Sequence, residues 1–242
     1  MVRSILVGLL ASVLLLLSLP GAGAQDLYRE VPVTNGGTLT GEAVFAGPPP
    51  EPYVIWVKKD AEVFGEKLVD ERLVVSRTGK LKNVVVTLEG IREGKPWPNP
   101  HRPQLLNQGG LFVPHLQAAR TGAPVEIINR DPVLHNTHAY LSGRTVFNLA
   151  QPNKDQAIQK PLKRPGLVEL MCDAHEWMNG WITVQDHPYV AITGADGAYT
   201  LADIPPGTYT LTAWHEKLGK KQAQVTVAAG KRQRVDFTFS AK

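Results

Sequence analysis

Residues 171–178 read Met171-Cys172-Asp173-Ala174-His175-Glu176-Trp177-Met178, and Asn179-Gly180-Trp181-Ile182-Thr183-Val184 follows directly. Within seven residues this stretch offers a thiol, an imidazole and a thioether, from Cys172, His175 and Met178. Sulfur donors of this kind favour copper. The flanking runs 166–172 and 181–185 have the length and composition of strands. The stretch therefore predicts a metal-binding loop that follows one strand and leads into another.

Cys172 is the only cysteine in the chain. Because it cannot form an internal disulfide, it is an inert buried thiol, half of an intermolecular bridge, or a metal ligand. Its position beside His175 and Met178 favours the third interpretation. A trigonal set of one cysteine and two histidines with a distant methionine makes a one-electron copper centre, so a second histidine must come from elsewhere in the chain.

His135 and His138 are the candidates for that second histidine, because both follow the apolar run 125–128. Three residues apart, they point to opposite faces of an extended chain. We expect one to face the metal and the other to face solvent or the surroundings of the site. His115, on a separate predicted strand, is a less favoured candidate.

The first 24 residues have the pattern of a secretory signal peptide. Arg3 precedes the apolar run 5–19, and Pro20 leads into small residues. We expect cleavage before Gln25, since the run is shorter than a membrane-spanning helix requires. The protein is thus predicted to be periplasmic or secreted, without a spanning segment after cleavage.

Charge and motif content exclude several function classes. The formal net charge of +4 is mild, which argues against nucleic acid as a partner. The pair His215-Glu216 lacks the second histidine that a zinc protease needs. The sequence also has no His-x-His pair of the kind found in multicopper oxidases. We therefore expect a protein that is not an enzyme.

Short runs of β-branched and aromatic residues between glycines and prolines predict an all-β fold. Proline-rich residues 91–110 are predicted to be a long loop, and only residues 60–66 suggest a helical turn. The predicted strands are Thr38–Phe45, Tyr53–Val57, Glu71–Ser76, Asn83–Glu89, Gly110–Pro114, Pro124–Asn129, Thr137–Leu141, Gly166–Cys172, Trp181–Gln185, Ala198–Asp203, Thr208–Trp214, Gln222–Val227 and Arg234–Phe239.

The central motifs resemble those of the cupredoxins, particularly plastocyanin and amicyanin and the methylamine-utilisation-like proteins. The resemblance is carried by Phe112-Val113-Pro114, Gly122-Ala123-Pro124-Val125, His135-Asn136 and the stretch from Cys172 to Val184. It implies a Greek-key β-sandwich that holds one type 1 copper through His135, Cys172, His175 and Met178. It also implies single-electron transfer with a redox protein such as a cytochrome or a dehydrogenase. Asn136 is expected to steady the cysteine loop by hydrogen bonding.

The tail from Tyr189 resembles the carboxypeptidase regulatory-like domain, a smaller transthyretin-like β-sandwich. The motifs Asp196-Gly197-Ala198-Tyr199 and Pro205-Pro206-Gly207-Thr208 carry this resemblance. We expect a signal peptide at 1–24, a β segment at 25–80, a cupredoxin domain at 81–187 and this tail domain at 188–242. About 50 residues make a marginal core, so we expect the tail to borrow the strand Thr38–Phe45.

The sequence is also compatible with two other functions. One is a copper carrier or scavenger that does not exchange electrons. The other is an envelope interaction module in which the tail domain binds a partner and the metal is structural.

Overall fold

Regular structure is almost entirely β in the computed structural model, which describes residues 28–99 and 101–241. The all-β fold predicted from the sequence is confirmed. One short helix, α1 (Ala61–Phe64), is present in the described part of the chain. The strands there are β1 (Arg29–Glu30), β2 (Gly37–Phe45), β3 (Val54–Trp56), β4 (Lys67–Val69), β5 (Val85–Glu89), β6 (Glu93–Gly94), β7 (Gln104–Gln108), β8 (Leu111–Val113), β9 (Leu116–Arg120), β10 (Pro124–Asn129), β11 (His135–Leu141), β12 (Arg144–Gln151), β13 (Ala157–Pro161), β14 (Gly166–Met171), β15 (Asn179–Gln185), β16 (Val190–Ile192), β17 (Ala198–Ile204), β18 (Gly207–His215), β19 (Gly219–Val227), β20 (Arg232–Arg234) and β21 (Phe237–Phe239).

Two sheets pack face to face in the central part of the chain. One sheet has the strand order β13-β10-β7-β8 and the other β12-β11-β14-β15-β9. Their shared core holds side chains from both sheets, such as Leu105 and Ile127 from the first and Leu170 from the second. In β10 the buried Val125 and Ile127 flank the less buried Glu126, as expected for a strand with one face on a core.

The strand pairing brings His135 and the 172–178 loop to the same end of this sandwich. His135 is the first residue of β11, and Cys172 follows the last residue of β14. The two strands are antiparallel neighbours, with His138 opposite Met171. The start of β11 therefore lies beside the end of β14.

A second pair of sheets encloses a separate core. One has the order β16-β5-β18-β19, and in the other β2 pairs with β17, β20 and β21. Leu39, Val86, Leu211 and Phe239 are buried together between them. The strand β2 is the one that the sequence predicted to join the tail, and it pairs with β17 between Gly37 and Glu42.

The strand β5 belongs to this second unit, although the sequence placed it in the first domain. It pairs with β16 and β18, and Leu81, Val84 and Leu88 lie in the second core. The apolar side chains of this segment are thus buried against the tail. We therefore propose that the central sandwich begins after Ile91 rather than at residue 81.

Residues 53–69, called here the 53–69 segment, lie outside both sandwiches. Within this segment β3 and β4 pair as an antiparallel hairpin, with Ile55 opposite Leu68, and α1 lies between them. Most of its large apolar side chains face outward, but Ile55 and Phe64 are buried. The helical turn predicted for residues 60–66 corresponds to α1.

Several predictions of local structure were wrong. The run Glu71–Ser76 is not a regular strand, because its backbone bends at Arg72 and Leu73 and makes only an isolated bridge, between Val75 and Leu81. The expected loop at 91–110 contains β6 and β7, the latter with Leu105 buried. The strands β9, β12 and β13 were not predicted from the residue pattern. Edge strands such as β12 and β13 bury little surface, so their apolar pattern is weak.

The predicted signal peptide falls in residues 1–24, outside the described residues. Within the described part of the chain, no helix has the length and apolar character needed to span a membrane.

Candidate metal centre

Three side chains present ligand atoms to one another at the end of the central sandwich. Cys172 Sγ lies 3.8 Å from Nδ1 of His135 and 3.8 Å from Nδ1 of His175. The two Nδ1 atoms are 3.2 Å apart. Metal bonds to nitrogen and sulfur of about 2.0–2.3 Å put three ligands around an ion in one plane at about 3.5–4 Å from one another. The two sulfur-to-nitrogen distances fall in this range, and the distance between the two nitrogens is slightly shorter.

All three side chains are removed from solvent. His135 is 0 % exposed, and Cys172 and His175 are each 1 % exposed. They form the one group of His, Cys, Asp and Glu side chains with suitable spacing for a metal in the described residues. A buried cluster of donors facing one another can bind a metal ion, and such binding requires a deprotonated thiol.

Asn136 holds Cys172 in place, as the sequence predicted. Its backbone N–H points at Sγ over 3.5 Å, and its Oδ1 accepts from the N–H of Ala174 over 3.1 Å. Burial opposes ionisation of Cys172, but hydrogen bonds from His135 and from backbone N–H groups outweigh it and lower the pKa of the thiol. The site therefore favours a thiolate, which is the form that binds metals.

Asp131 holds the outer edge of His135. The His135 Nε2 lies 2.9 Å from Asp131 Oδ2, which leaves Nδ1 directed at the cysteine. The N–H groups of Gly109 and Gly110 donate to the same carboxylate at 2.8 and 3.1 Å. Burial alone would lower the pKa of His135, but the contacts with Asp131 and Cys172 raise it. The carboxylate thus fixes which nitrogen faces the centre.

Asp60 holds His175 in the same way, from outside the sandwich. The His175 Nε2 lies 2.8 Å from Asp60 Oδ2. Burial is the main cause that lowers the pKa of His175, and the charge of His135 adds to it, while the contact with Asp60 opposes the shift. Both histidines therefore present Nδ1 inward and have Nε2 bound to a carboxylate.

Met178 is fully buried in the same core as Cys172. Its backbone N–H donates to the His175 carbonyl over 2.9 Å, which closes the loop between β14 and β15 into a tight turn. This turn keeps Met178 close to the loop that carries the other predicted ligands. Its role as a distant axial ligand stays a prediction.

The remaining histidines lie elsewhere. His138 contacts Asp173 and Thr145, with Nδ1 3.2 Å from the Asp173 carboxylate, on the other face of β11 from His135. His115 pairs with Glu216 of the second unit. His138 and His115 are therefore not members of the metal-sized cluster.

Two residues of the site were missed in the sequence. Asp131 lies four residues before His135 in the predicted loop. Its closeness in the sequence could have indicated it as a partner of that histidine. Asp60 is separated from His175 by 115 residues, and no motif connects them. Only the folded chain shows that both histidines have a carboxylate partner.

Comparisons with known proteins give one family match. Residues 181–240 match the family model of the carboxypeptidase regulatory-like domain. The resemblance of the tail to that domain is thus confirmed. A comparison with curated proteins found no significant match.

Solved structures similar to the chain include cupredoxins and a copper-containing nitrite reductase. A purple cupredoxin from Nitrosopumilus maritimus is 23% identical with a TM-score of 0.31, and the match covers 34% of this chain and 99% of the other. A reduced amicyanin variant is 18% identical with a TM-score of 0.32, covering 41% and 98%. A copper-containing nitrite reductase from Thermus scotoductus is 19% identical with a TM-score of 0.31, covering 36% and 23%. Because these TM-scores are low, the assignment of the metal rests on the side-chain geometry.

Proposed function

We propose that this protein binds one copper ion as a type 1 centre and transfers single electrons between redox proteins. His135, Cys172 and His175 supply the three strong ligands in this proposal, and Met178 supplies a weak axial one. The observation that carries the proposal is the buried triangle of one sulfur and two Nδ1 atoms, with sides of 3.2–3.8 Å.

The donor set fits copper better than zinc. Structural zinc sites are closed by four strong nitrogen or sulfur ligands in a tetrahedron. The cluster here has one thiol and two imidazoles, and the nearby buried sulfur of Met178 is a weak donor. One cysteine, two histidines and a long thioether contact are the ligands of electron-transfer copper. Copper bound there would supply a Cu(II)/Cu(I) couple, which takes one electron from a reduced protein and passes it to an oxidised one.

The chain's own residues hold the ligands rigidly. Asp131 and Asp60 each bind the outer nitrogen of a ligand histidine, and Asn136 holds the cysteine loop. Ligands fixed in this way move little when the charge at the centre changes. The burial of all three ligand residues also excludes bulk water from the centre.

We place the proposed function outside the cytoplasm, on the signal-peptide pattern of residues 1–24. The donor and acceptor in this proposal are redox proteins such as a cytochrome or a dehydrogenase. The protein would then act as a carrier of electrons and not as an enzyme.

The test is a redox cycle on the chain from Gln25 loaded with Cu(II). We expect one tightly bound copper per chain, reduction by one electron, full reoxidation, and no loss of metal over repeated cycles. Release of copper on reduction would instead indicate a copper carrier. Failure to bind copper would contradict the proposal.

A further inference from the structure

The 53–69 segment lies directly over the metal-sized cluster. Besides the contact of Asp60 with His175, Lys59 Nζ donates to the carbonyl of Ala174 over 3.4 Å. The Phe64 ring lies 5.4 Å from the His175 ring and 5.9 Å from the His135 ring, between centroids. One element from outside the sandwich therefore touches both ligand histidines and the ligand loop.

The packing around Phe64 is close. Gly110 has φ +70, and a Cβ added there would lie 3.1 Å from the Phe64 ring and 3.2 Å from Leu68. The Trp177 ring lies 6.4 Å from that of Phe64, and its Nε1–H donates to the Gly110 carbonyl over 3.0 Å. Aromatic rings thus fill the space between the ligand loop and the turn at Gly110.

Asp60 adds an electrostatic barrier to this steric one. Its carboxylate lies at the Nε2 edge of His175, and its side chain is 24 % exposed while that of His175 is 0 % exposed, so Asp60 stands between the ligand and solvent on this side. A small anion that approached along this path would meet a like charge in surroundings of low dielectric. It would also have to displace Phe64, which is 9 % exposed.

We propose that the 53–69 segment closes the copper centre to small-molecule ligands, so that the site exchanges electrons only. Asp60 is the positioning residue that holds His175 with Nδ1 inward, and Phe64 is the residue that blocks access. This inference rests on the proposed function and makes it more specific. A centre of this kind binds no inorganic anion as substrate.

The first test measures access to Cys172 in the metal-free protein with a thiol reagent. Phe64→Ala is expected to raise the labelling rate roughly tenfold or more, because it removes the ring that separates the cluster from solvent. Phe64→Leu is the matched control, since it retains most of the apolar volume, and is expected to label nearly as slowly as the wild type. Equal rates in the wild type and Phe64→Ala would overturn the inference without bearing on copper binding.

The second test uses azide as the probe on the Cu(II)-loaded protein. We expect azide to leave the absorption spectrum of the wild type unchanged and to alter that of Asp60→Gly. Glycine tolerates the φ of +55 at this position, so the substitution removes the carboxylate without backbone strain. Asp60→Asn retains an acceptor for the Nε2–H of His175. Its spectrum in the absence of azide is therefore expected to match that of the wild type.

Each outcome of the azide test is decisive. A wild-type spectrum that azide alters, or an Asp60→Gly spectrum that azide leaves unchanged, would overturn the inference. If Phe64→Ala does not fold, the azide test on the Asp60 variants still decides the inference. If the wild type binds no copper, the proposed function fails and this inference fails with it.

Discussion

Asn136 contacts the sulfur of Cys172 twice: its backbone N–H lies 3.5 Å from Sγ, and its side-chain Oδ1 lies 3.4 Å from the same atom. The same Oδ1 accepts from the N–H of Ala174, so one side chain connects the start of β11 to the ligand loop. The residue next to one proposed ligand thus fixes the position of another.

Substitution of Asn136 by alanine is expected to weaken copper binding. The loop from Cys172 would lose the acceptor at Ala174 N–H, and such supporting contacts are worth roughly 10–100-fold in metal affinity. Competition with a copper chelator measures the change. Asn148→Ala is the control, because Asn148 Oδ1 accepts from Asn136 Nδ2 over 2.8 Å but does not touch the sulfur. Equal affinities for the two variants would contradict the assigned role.

Asp131→Asn is expected to lower copper affinity by roughly 10–100-fold, because His135 loses the charged partner that orients it. The N–H groups of Gly109 and Gly110 donate to the two carboxylate oxygens of Asp131, and asparagine offers only one oxygen in their place. The same chelator competition gives the measurement. The control is Asp155→Asn, since Asp155 is exposed and forms a surface ion pair with Arg130, which contributes little. An Asp131→Asn protein with wild-type affinity would show that His135 needs no carboxylate.

His215 is expected to make stability depend on pH. It is fully buried in the second core region, and its Nε2 has no hydrogen-bond partner among the described residues. Burial is the main cause that lowers its pKa to about 4; the charges of His115 and Lys217 add to this effect, and that of Glu216 opposes it. In the unfolded chain the pKa of histidine is about 6.5.

The sign follows from proton binding. As pH falls from about 6.5 to about 4, the unfolded chain takes up a proton at His215 before the folded chain does, so the free energy of unfolding decreases, by about 3 kcal/mol in total. His215→Asn removes this titration and keeps an acceptor for the N–H of Lys217. Urea unfolding of the metal-free proteins across this range should show a flatter pH dependence for the variant. Identical slopes would refute the prediction.

Gly41 is expected to be essential to the pairing of β2 with the tail. A Cβ at this position would collide with the carbonyl oxygen of Val235 and lie 2.8 Å from the Tyr199 ring. Gly41→Ala should therefore reduce the free energy of unfolding by about 3 kcal/mol in urea titrations. Gly194→Ala is the control, because its Cβ would meet only Asp196 Oδ1, at 3.4 Å. A Gly41→Ala variant as stable as this control would contradict the packing.

The sequence predicted the side chains of the cluster because their signal is local or depends on strand alternation. Cys172 and His175 lie three residues apart in one loop. Strand alternation indicated that only one of His135 and His138 faces the cluster, and the resemblance carried by His135-Asn136 selected His135. The fold class was predictable for the same reason, since strands buried on one face, such as β10, have an alternating pattern.

The carboxylate at His175 could not be predicted from sequence. Asp60 reaches it through a contact between residues 115 apart, and a single acidic residue in a predicted helical turn has many other uses. The edge strands β12 and β13 were missed because they are largely exposed. Features that depend on tertiary contact or on exposed backbone pairing leave little trace in the residue pattern.

The absorption spectrum of the Cu(II)-loaded chain from Gln25, beside that of Cys172→Ser, tests the copper–thiolate centre most directly. The wild type should show a strong band at about 600 nm that disappears on reduction and returns on reoxidation. Cys172→Ser should lack this band even where copper is bound. A band of equal intensity in Cys172→Ser, or a colourless wild type with one copper bound, would contradict the account.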